Sequence, residues 1–412
     1  MINYMLRLKK ALPNRRTYLI DHKILFLFGY FFYLFIPWYV GANNLFEDAP
    51  GMSLYHEFFS MIPEEKINMY FIITLAWLPS FYLGHLLFNL IRPRKRQLDL
   101  FPATPLTRTV PYIALLLIGV LVVFAFLGRG SLFGGYESYD IAARGKMSTL
   151  LVVFNFFFLY QLLTVQKQSR LLVAGLIITG LLLLSMGGRM YVMQSFVIFL
   201  VYKTSFAPKR WKGYQVLAVG FAGFLVASFV GLWRMHTSFG ASRAAYSLFA
   251  EPVFTWFSTT TYLNANDIPL FNMPLNFLSS FLNLIPNTVI KVQPYLVSTA
   301  SMVKEYQNPL GADSIWSTFV INFGSAGSCI FIFITGFMLH FLRHLSERSR
   351  FGAVYYILVC GMVPFQLFRD GFYLLNKQLF FNFLLLPAAI LFVMRCIMVL
   401  QTSVNRQAGA EI

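Results

Sequence analysis

The chain has 412 residues, of which 58% are hydrophobic and only 12% are charged. This composition excludes an ordinary soluble domain, in which apolar residues make up about 45–50%. A formal net charge of +17 would indicate nucleic acid in a soluble protein. Here the basic residues flank apolar runs, where they act as topology signals and contact anionic lipid. We therefore predict an all-α, polytopic integral membrane protein whose surroundings are the lipid bilayer, with no nucleic-acid partner.

Several apolar runs approach or exceed the roughly 20 residues that a helix needs to cross a bilayer. We predict about 10 transmembrane helices, within a range of 10–12, in a single membrane domain that comprises residues 1–412. The predicted spans are residues 24–42, 67–90, 109–128, 148–165, 171–187, 190–204, 214–233, 315–342, 352–368 and 378–400.

The apolar run from residue 171 to residue 204 is too long for one span. A continuous helix of this length would extend roughly 50 Å, whereas the hydrocarbon core is about 30 Å thick. Ser185, Gly187 and Gly188 provide the residue types of a tight turn. We therefore divide the run into two short spans and place Arg189 at the turn between them.

The distribution of charge indicates that both termini are cytoplasmic. In that orientation 22 of the 33 Lys and Arg residues lie on inner segments, as the positive-inside rule requires. Residues 1–23 then form a cytoplasmic N-terminal segment, and residues 401–412 form a cytoplasmic tail. Residues 234–314 form one large outer loop, whose helix-like apolar spacing predicts amphipathic or re-entrant helices that lie on or dip into the outer leaflet.

Six arginine residues lie near the outer membrane surface in this topology. Arg is suited to phosphate because its planar guanidinium donates two parallel hydrogen bonds. An Arg at a helix end can also simply extend to the interface, and this alternative stays open for each of them. A charge near membrane depth favours a functional role, which applies best to Arg189 and Arg369. The six residues are Arg129, Arg144, Arg189, Arg234, Arg243 and Arg369.

Several titratable residues of the outer segments are candidates for a general base. They are Glu251, His236, Asp267 and Asp313, any of which could accept a proton from a hydroxyl group. Glu251 is preferred because its neighbours are the most apolar and burial makes a carboxylate more basic. Asp370 directly follows an arginine at a sharp turn, so it either pairs with that arginine or caps the turn.

No motif of a resident cofactor is evident. The three cysteines lie in apolar runs, and neither Cys nor His residues have the spacing of a metal site. There is no P-loop and no dinucleotide-binding glycine motif. We therefore predict no metal and no cofactor.

A series of segments in the C-terminal half resembles O-antigen polymerases of the Wzy type, over roughly residues 180–385. The segments are GGRM at residues 187–190, an acid shortly before a tryptophan in the outer loop (Glu251 and Trp256), LIPNTVIKVQPY followed by NPLGADSIWSTFVINFG, and the RDG turn at residues 369–371. Their order along the chain carries the resemblance.

The resemblance implies a metal-independent membrane glycosyltransferase, similar to class C, in the bacterial inner membrane. Such an enzyme moves a growing glycan from undecaprenyl diphosphate to the non-reducing end of a fresh lipid-linked repeat unit at the periplasmic face. A membrane protein that regulates chain length is an implied partner. From the residues themselves we expect catalytic roles for Glu251 (the base), Arg189 and Arg369, and substrate binding by Arg129, Arg144, Arg234, Arg243, His236, Asp313 and Asp370.

Other functions remain open on the sequence. An O-antigen ligase, which moves finished glycan to a lipid core, shares the membrane setting and the donor. A polysaccharide transporter or flippase would carry polar and charged residues at mid-span along a central path, and the predicted spans have almost none. A structural scaffold would tolerate loss of the outer arginines.

Overall fold

The computed structural model describes residues 19–91, 110–132, 141–165, 169–234, 241–285 and 290–408. Within these ranges the chain is helical and contains no strand, as predicted. The helices are α1 (His22–Ala42), α2 (Met52–Ser60), α3 (Glu64–Ile91), α4 (Val110–Leu127), α5 (Ile141–Val165), α6 (Arg170–Ser185), α7 (Arg189–Val201), α8 (Gly213–Arg234), α9 (Ala241–Ala265), α10 (Leu275–Ser280), α11 (Ile315–Ser346), α12 (Arg350–Met362), α13 (Gln366–Arg369), α14 (Phe372–Asn376) and α15 (Leu386–Ala408).

Many of these helices are long and apolar enough to cross a membrane, which confirms the polytopic class. Six meet both criteria among the described residues, namely His22–Ala42, Glu64–Ile91, Ala143–Thr164, Gly213–Leu232, Ile315–Ser346 and Phe372–Cys396. Shorter apolar helices are Ile113–Leu127, Arg170–Ser185, Leu275–Leu284 and Arg350–Met362. The predicted span 352–368 is interrupted by a turn at residues 363–365 and the span 315–342 by Gly324, and the number of spans stays a prediction.

The outer helices expose large apolar side chains that only lipid can cover favourably. Leu90 of α3 is 83% exposed, Leu116 of α4 is 68% exposed and Leu217 of α8 is 76% exposed. In water such a continuous apolar surface would cost about 25 cal/mol per Å². By contrast α5 is buried along most of its length, so it forms the centre of the bundle.

Helices α3 and α11 pack closely against each other, because glycines face the partner backbone on both sides. A Cβ on Gly84 would overlap the carbonyl oxygen of Phe333, and a Cβ on Gly336 would overlap that of Phe81. Small residues are the usual means by which membrane helices approach so closely. The pairing fixes the relative depth of α3 and α11, two of the three helices that carry the histidines described below.

The predicted break between the two short spans is confirmed. Helix α6 ends at Ser185 and α7 begins at Arg189. Gly187 has φ +80°, the left-handed conformation that glycine adopts most readily. Its N–H donates to the Leu184 carbonyl (3.0 Å), while the Gly188 N–H donates to the Leu183 carbonyl (2.6 Å). This is the Schellman arrangement, which satisfies the last carbonyl groups of a helix.

The first part of the predicted outer loop differs from expectation. Its helix α9 does not lie on a surface, since residues from Ala250 to Leu263 are almost all buried. Trp256 is enclosed and its indole N–H donates to the Tyr70 hydroxyl (3.0 Å) of α3. The spacing of apolar residues predicted this helix correctly. Its polar face, which carries Ser and Thr residues, was expected to face water or headgroups, but protein covers that face as well.

The later part of the loop enters a kink in α11. Gly324 has φ +75° and interrupts the helical conformation of the predicted span 315–342. The N–H groups of Ser325 and Ala326, released by the kink, donate to the carbonyl groups of Pro269 and Leu270 (2.8 and 3.0 Å). The loop is thereby attached to the helix bundle by backbone hydrogen bonds.

Candidate functional site

Two arginines and one glutamate from distant parts of the chain form a charged cluster inside the helix bundle. The Arg189 Nη2 lies 3.5 Å from Glu251 Oε2, and the Arg369 Nη1 lies 3.3 Å from Glu251 Oε1. The side chains are 20%, 23% and 15% exposed for Arg189, Arg369 and Glu251, so the cluster is largely enclosed yet reachable. We call these three residues the Arg–Glu–Arg cluster.

Each member of the Arg–Glu–Arg cluster is placed by a different local device. Arg189 is the first residue of α7, directly after the glycine turn. Glu251 lies within the buried helix α9, immediately before Pro252. Arg369 is the last residue of α13, where the chain turns through Asp370. The cluster therefore joins one helix start, one helix interior and one helix end.

Tyr33 of α1 completes the coordination of the glutamate. Its hydroxyl donates to Glu251 Oε1 at 3.3 Å, and the residue is fully buried. Tyr33 lies in the apolar run FFYLF, so nothing in the sequence distinguished it from a lipid-facing aromatic residue. It brings the N-terminal span to a site whose sequence-predicted residues all lie between Arg129 and Asp370.

A glycine of α8 makes room for the Arg189 guanidinium. A Cβ at Gly231 would lie 2.8 Å from Arg189 Nη1 and 3.3 Å from the Cβ of Ser247. The same Nη1 faces the Ser247 carbonyl oxygen at 3.5 Å. Helices α8 and α9 approach each other closely at this point, and the guanidinium packs against both.

Asp370 lies beside the Arg–Glu–Arg cluster and has an altered proton affinity. Burial raises the pKa of Asp370 to about 6, although the positive charges of Arg369 and Arg144 oppose this rise and the negative charges of Glu251 and Asp313 add to it. Arg144, in the first turns of α5, is therefore close enough to act on the cluster electrostatically. A carboxylate with a pKa near 6 is ionised at neutral pH and accepts a proton readily.

Asp313 is hydrogen-bonded to the RDG turn and stabilises it. Its backbone N–H donates to the Arg369 carbonyl (2.9 Å), and its Oδ1 accepts from the Tyr306 hydroxyl and from Asn308 Nδ2, both at 2.9 Å. A Cβ at Gly371 would lie 3.0 Å from Asp313 Oδ2. Burial raises the pKa of Asp313 above its usual value, although hydrogen bonds from Asn308, Tyr306 and Thr299 oppose this rise. Because these donors occupy its carboxylate, Asp313 positions the turn.

The remaining predicted residues are less closely associated with the cluster. Arg129 is exposed after the end of α4, and its guanidinium lies 4.6 Å from the centre of the Phe126 ring. Arg243 is exposed near the start of α9. The side chain of Arg234 and the whole of His236 fall outside the described residues. Substrate binding by these four residues stays a prediction.

Three histidines come together in a way that their positions in the sequence did not indicate. The six histidines show no metal-ligand spacing along the chain, and no metal site was predicted. The fold nevertheless brings His22, His85 and His340 together, with one ring nitrogen of each within 4.8 Å of the others. Their separation in sequence hid this proximity, and these residues contribute nothing to the Arg–Glu–Arg cluster.

The Arg–Glu–Arg cluster has the chemistry of an anion site. The Nε of Arg369 is buried and has no hydrogen-bond partner among the described residues. A buried donor of this kind is unfavourable unless a ligand uses it. The start of α7 adds amide groups whose dipoles also favour negative charge. A phosphate oxygen is the acceptor that suits both guanidinium groups.

Comparison with known proteins gives one family. The family model described as O-antigen polysaccharide polymerase Wzy matches residues 17–400, which is nearly the whole chain. Searches of curated proteins and of solved structures give no significant match.

Proposed function

Because the chain belongs to the O-antigen polysaccharide polymerase family, we propose that its Arg–Glu–Arg cluster is the centre at which lipid-linked oligosaccharide repeat units are joined. The family is a membrane polymerase that acts on such units. The observation that carries the proposal is the double ion pair of Arg189 and Arg369 on Glu251. It concentrates cationic donors from two distant segments in one enclosed place.

The proposed donor is a growing glycan on undecaprenyl diphosphate, and the acceptor is the non-reducing end of a new lipid-linked unit. The bond between the glycan carbon and the diphosphate oxygen breaks as an acceptor hydroxyl attacks that carbon. The bond electrons leave with the diphosphate, whose negative charge increases in the transition state. Guanidinium groups already in place stabilise this charge without reorganisation, which is commonly the largest contribution to such catalysis. In this mechanism the arginines act without a metal ion.

We assign the proton of the attacking hydroxyl to Asp370 rather than to Glu251. Both oxygens of Glu251 already face guanidinium groups, and one also accepts from Tyr33. Its proposed role is to hold the two arginines apart and aligned until the diphosphate binds. Asp370, with a pKa of about 6, is a better acceptor near neutral pH. This differs from the sequence-based assignment of Glu251 as the base.

The topology proposed from the sequence fits this chemistry. We place the Arg–Glu–Arg cluster toward the periplasmic face of the inner membrane, with both termini cytoplasmic and residues 234–314 on the outer side. We further propose that the protein is a glycosyltransferase similar to class C. Arg129, Arg144 and Arg243 are proposed to attract the second carrier. A chain-length regulator in the same membrane is a proposed partner.

The test is polymerisation by purified protein supplied with a single synthetic lipid-linked repeat unit. We expect the native chain to make a ladder of products, and Arg189→Ala and Arg369→Ala to lose about 100-fold or more of this activity, as for removal of one transition-state donor. Lys66→Ala is the matched control. Lys66 is 23% exposed and pairs with Asp267 at 3.8 Å, so it resembles Arg369 in exposure but lies outside the cluster.

Four outcomes would contradict the proposal. Arginine variants that retain native chain lengths would remove the site assignment. An equal loss in Lys66→Ala would show that any charge deletion disturbs the fold. Transfer to a lipid core without elongation would support the ligase alternative, and movement of the lipid-linked unit across vesicles without elongation would support a flippase.

A further inference from the structure

Three histidines from three different helices meet at the end of the bundle opposite the Arg–Glu–Arg cluster. His22 begins α1, His85 lies near the end of α3 and His340 lies near the end of α11. His22 and His85 are buried, while His340 is half-buried. We call these residues the histidine cluster. Nothing in the proposed polymerisation uses them.

The histidine cluster is far from the reaction centre. Helix α7 begins at Arg189, and the chain continues in helical form to Ser205, sixteen residues later. At about 1.5 Å per residue this is roughly 24 Å. The Ser205 hydroxyl donates to the carbonyl of Ile20 (3.2 Å), two residues before His22. An ion bound here would therefore not contact the proposed diphosphate.

The rings of His22 and His85 face each other head on. Their Nε2 atoms are 2.6 Å apart, the ring planes differ by 6° and the ring centroids are 4.9 Å apart. That centroid distance is the sum of the nitrogen separation and one ring radius on each side, so the two nitrogens point directly at one another. Such a pair needs a shared proton or a cation between the nitrogens.

The other ring nitrogens are held in the manner of metal-ligating histidines. The Phe81 carbonyl can only accept, so His85 Nδ1 donates to it (3.0 Å) and leaves Nε2 with its lone pair. His340 Nε2 donates to Asn89 Oδ1 (2.9 Å), which leaves Nδ1 with a lone pair. His22 Nδ1 lies 2.8 Å from the Tyr356 hydroxyl. A hydrogen bond from the second nitrogen to a carbonyl or other oxygen is the usual support of a ligating imidazole.

We propose that the histidine cluster binds one divalent first-row transition-metal ion through His22, His85 and His340. Imidazole is a preferred ligand of Zn²⁺, Cu²⁺ and Ni²⁺, and three histidines form known zinc sites. Tetrahedral binding at about 2.0–2.1 Å would hold the two Nε2 atoms about 3.3 Å apart. For both lone pairs to point at the ion, the rings of His22 and His85 would have to separate by about 0.7 Å and each turn by roughly 35°.

The charges next to the site are mixed, since Arg343 and Lys23 are positive and Asp21 is negative. Arg343 lies one turn beyond His340 on α11, and its guanidinium pairs with Asp21 Oδ2 at 3.0 Å. This pairing offsets the positive charge next to the site. Asn89 is exposed, so the His340 side of the cluster provides an access route. The ion would connect α1, α3 and α11, which are separated in sequence by more than 300 residues at the extremes.

The experiment uses the full chain in detergent, with an affinity tag that contains no histidine. After chelation and removal of the chelator, Zn²⁺ and Co²⁺ are titrated separately. We expect about one ion per chain by mass spectrometry of metals, a visible absorption band typical of Co²⁺ bound by nitrogen, and a higher Tm with Zn²⁺. Asn89→Ala should bind about 10–100-fold more weakly, as for loss of a supporting hydrogen bond. His340→Gln should lose the Co²⁺ band.

His344→Gln is the control, because His344 is on the same helix one turn later and outside the cluster. It should bind both ions like the native chain. Absence of saturable binding in the native chain would overturn the proposal. Equal binding by His340→Gln and His344→Gln would also overturn it. So would Asn89→Ala that binds as tightly as the native chain. Asn89→Ala keeps all three histidines, so it still tests the proposal if His340→Gln fails to fold. Arg189→Ala should still bind Co²⁺ normally, so failure of the proposed function would not affect this test.

Discussion

Gly231→Ala tests the Arg–Glu–Arg cluster without changing any charged residue. The added methyl group would lie 2.8 Å from Arg189 Nη1 and 3.3 Å from the Cβ of Ser247. The optimum distance between non-bonded heavy atoms is about 3.5 Å or more. Because a guanidinium is the end of a flexible side chain, it should move by roughly 0.7 Å while the helices stay in place.

This displacement is large on the scale of catalysis. The Arg189 guanidinium lies 3.5 Å from Glu251 and 3.5 Å from the Ser247 carbonyl oxygen. These distances are already at the limit for a hydrogen bond, so any further lengthening breaks the contact. A misplacement of about 1 Å can reduce a rate by about 100-fold. We therefore expect Gly231→Ala to lower polymerisation by roughly 10- to 100-fold. Alanine is favoured over glycine in a helix by up to about 1 kcal/mol, which offsets the tight contact with Ser247, so the Tm should change little.

The assay is the rate of elongation from a synthetic lipid-linked unit, measured beside thermal unfolding in the same detergent. Gly220→Ala is the control, since Gly220 lies on the same helix α8 and a Cβ there meets no atom within 4 Å. It should keep the native rate. Native activity in Gly231→Ala would refute the reasoning, because it would mean that the position of Arg189 is not important. A fall in Tm that accounts for the lost activity would refute it as well.

Further predictions concern the turn, the base and the tyrosine. Because Asp370 acts as a base when it is deprotonated, the rate of polymerisation should rise with pH on the acidic side of the pH–rate profile, with an apparent pKa near 6. Asp370→Asn should remove this pH dependence and most of the activity. If the pH dependence persists in Asp370→Asn, Asp370 is not the base. Gly187→Ala should destabilise the protein by about 1–2 kcal/mol, because Gly187 has φ +80°. Gly180→Ala should not destabilise it, because a Cβ there meets no atom within 4 Å. Equal unfolding temperatures of the two variants would contradict the left-handed conformation of Gly187. Tyr33→Phe should lower the rate by up to about tenfold, because Glu251 keeps both ion pairs, and a loss as large as that of an arginine variant would assign Tyr33 a larger role.

The helices were predictable because their causes are local. Apolar runs of sufficient length, glycine breaks and flanking charge are all readable from sequence, and the turn before Arg189 formed where Gly187 and Gly188 indicated. The kink at Gly324 was not predictable in the same way. It depends on backbone donors that the distant Pro269 and Leu270 satisfy, and a single sequence gives no sign of such partners.

The site was predictable only in part for the same reason. Arg189, Glu251 and Arg369 were selected because charge is costly in an apolar setting and so marks function, and the fold brings these three together. Tyr33 and Gly231 have no comparable signal. One is an aromatic residue in an aromatic run, and the other is a small residue in an apolar helix. Their roles arise from contacts between helices, which residue type alone does not specify.

The arrangement also explains how two arginines can be held in an apolar bundle before substrate arrives. Two unpaired cations in a low-dielectric site would be strongly unfavourable, and Glu251 reduces that cost by pairing with both. The pairing distances of 3.3 and 3.5 Å are longer than those of tight charge-assisted hydrogen bonds, about 2.7–2.9 Å. The guanidinium groups are thus held in place without making all their hydrogen bonds, and the buried Nε–H of Arg369 is still available to donate one. A diphosphate brings more negative charge and more acceptor oxygens than one carboxylate, so it can draw both arginines toward itself while Glu251 continues to fix their spacing.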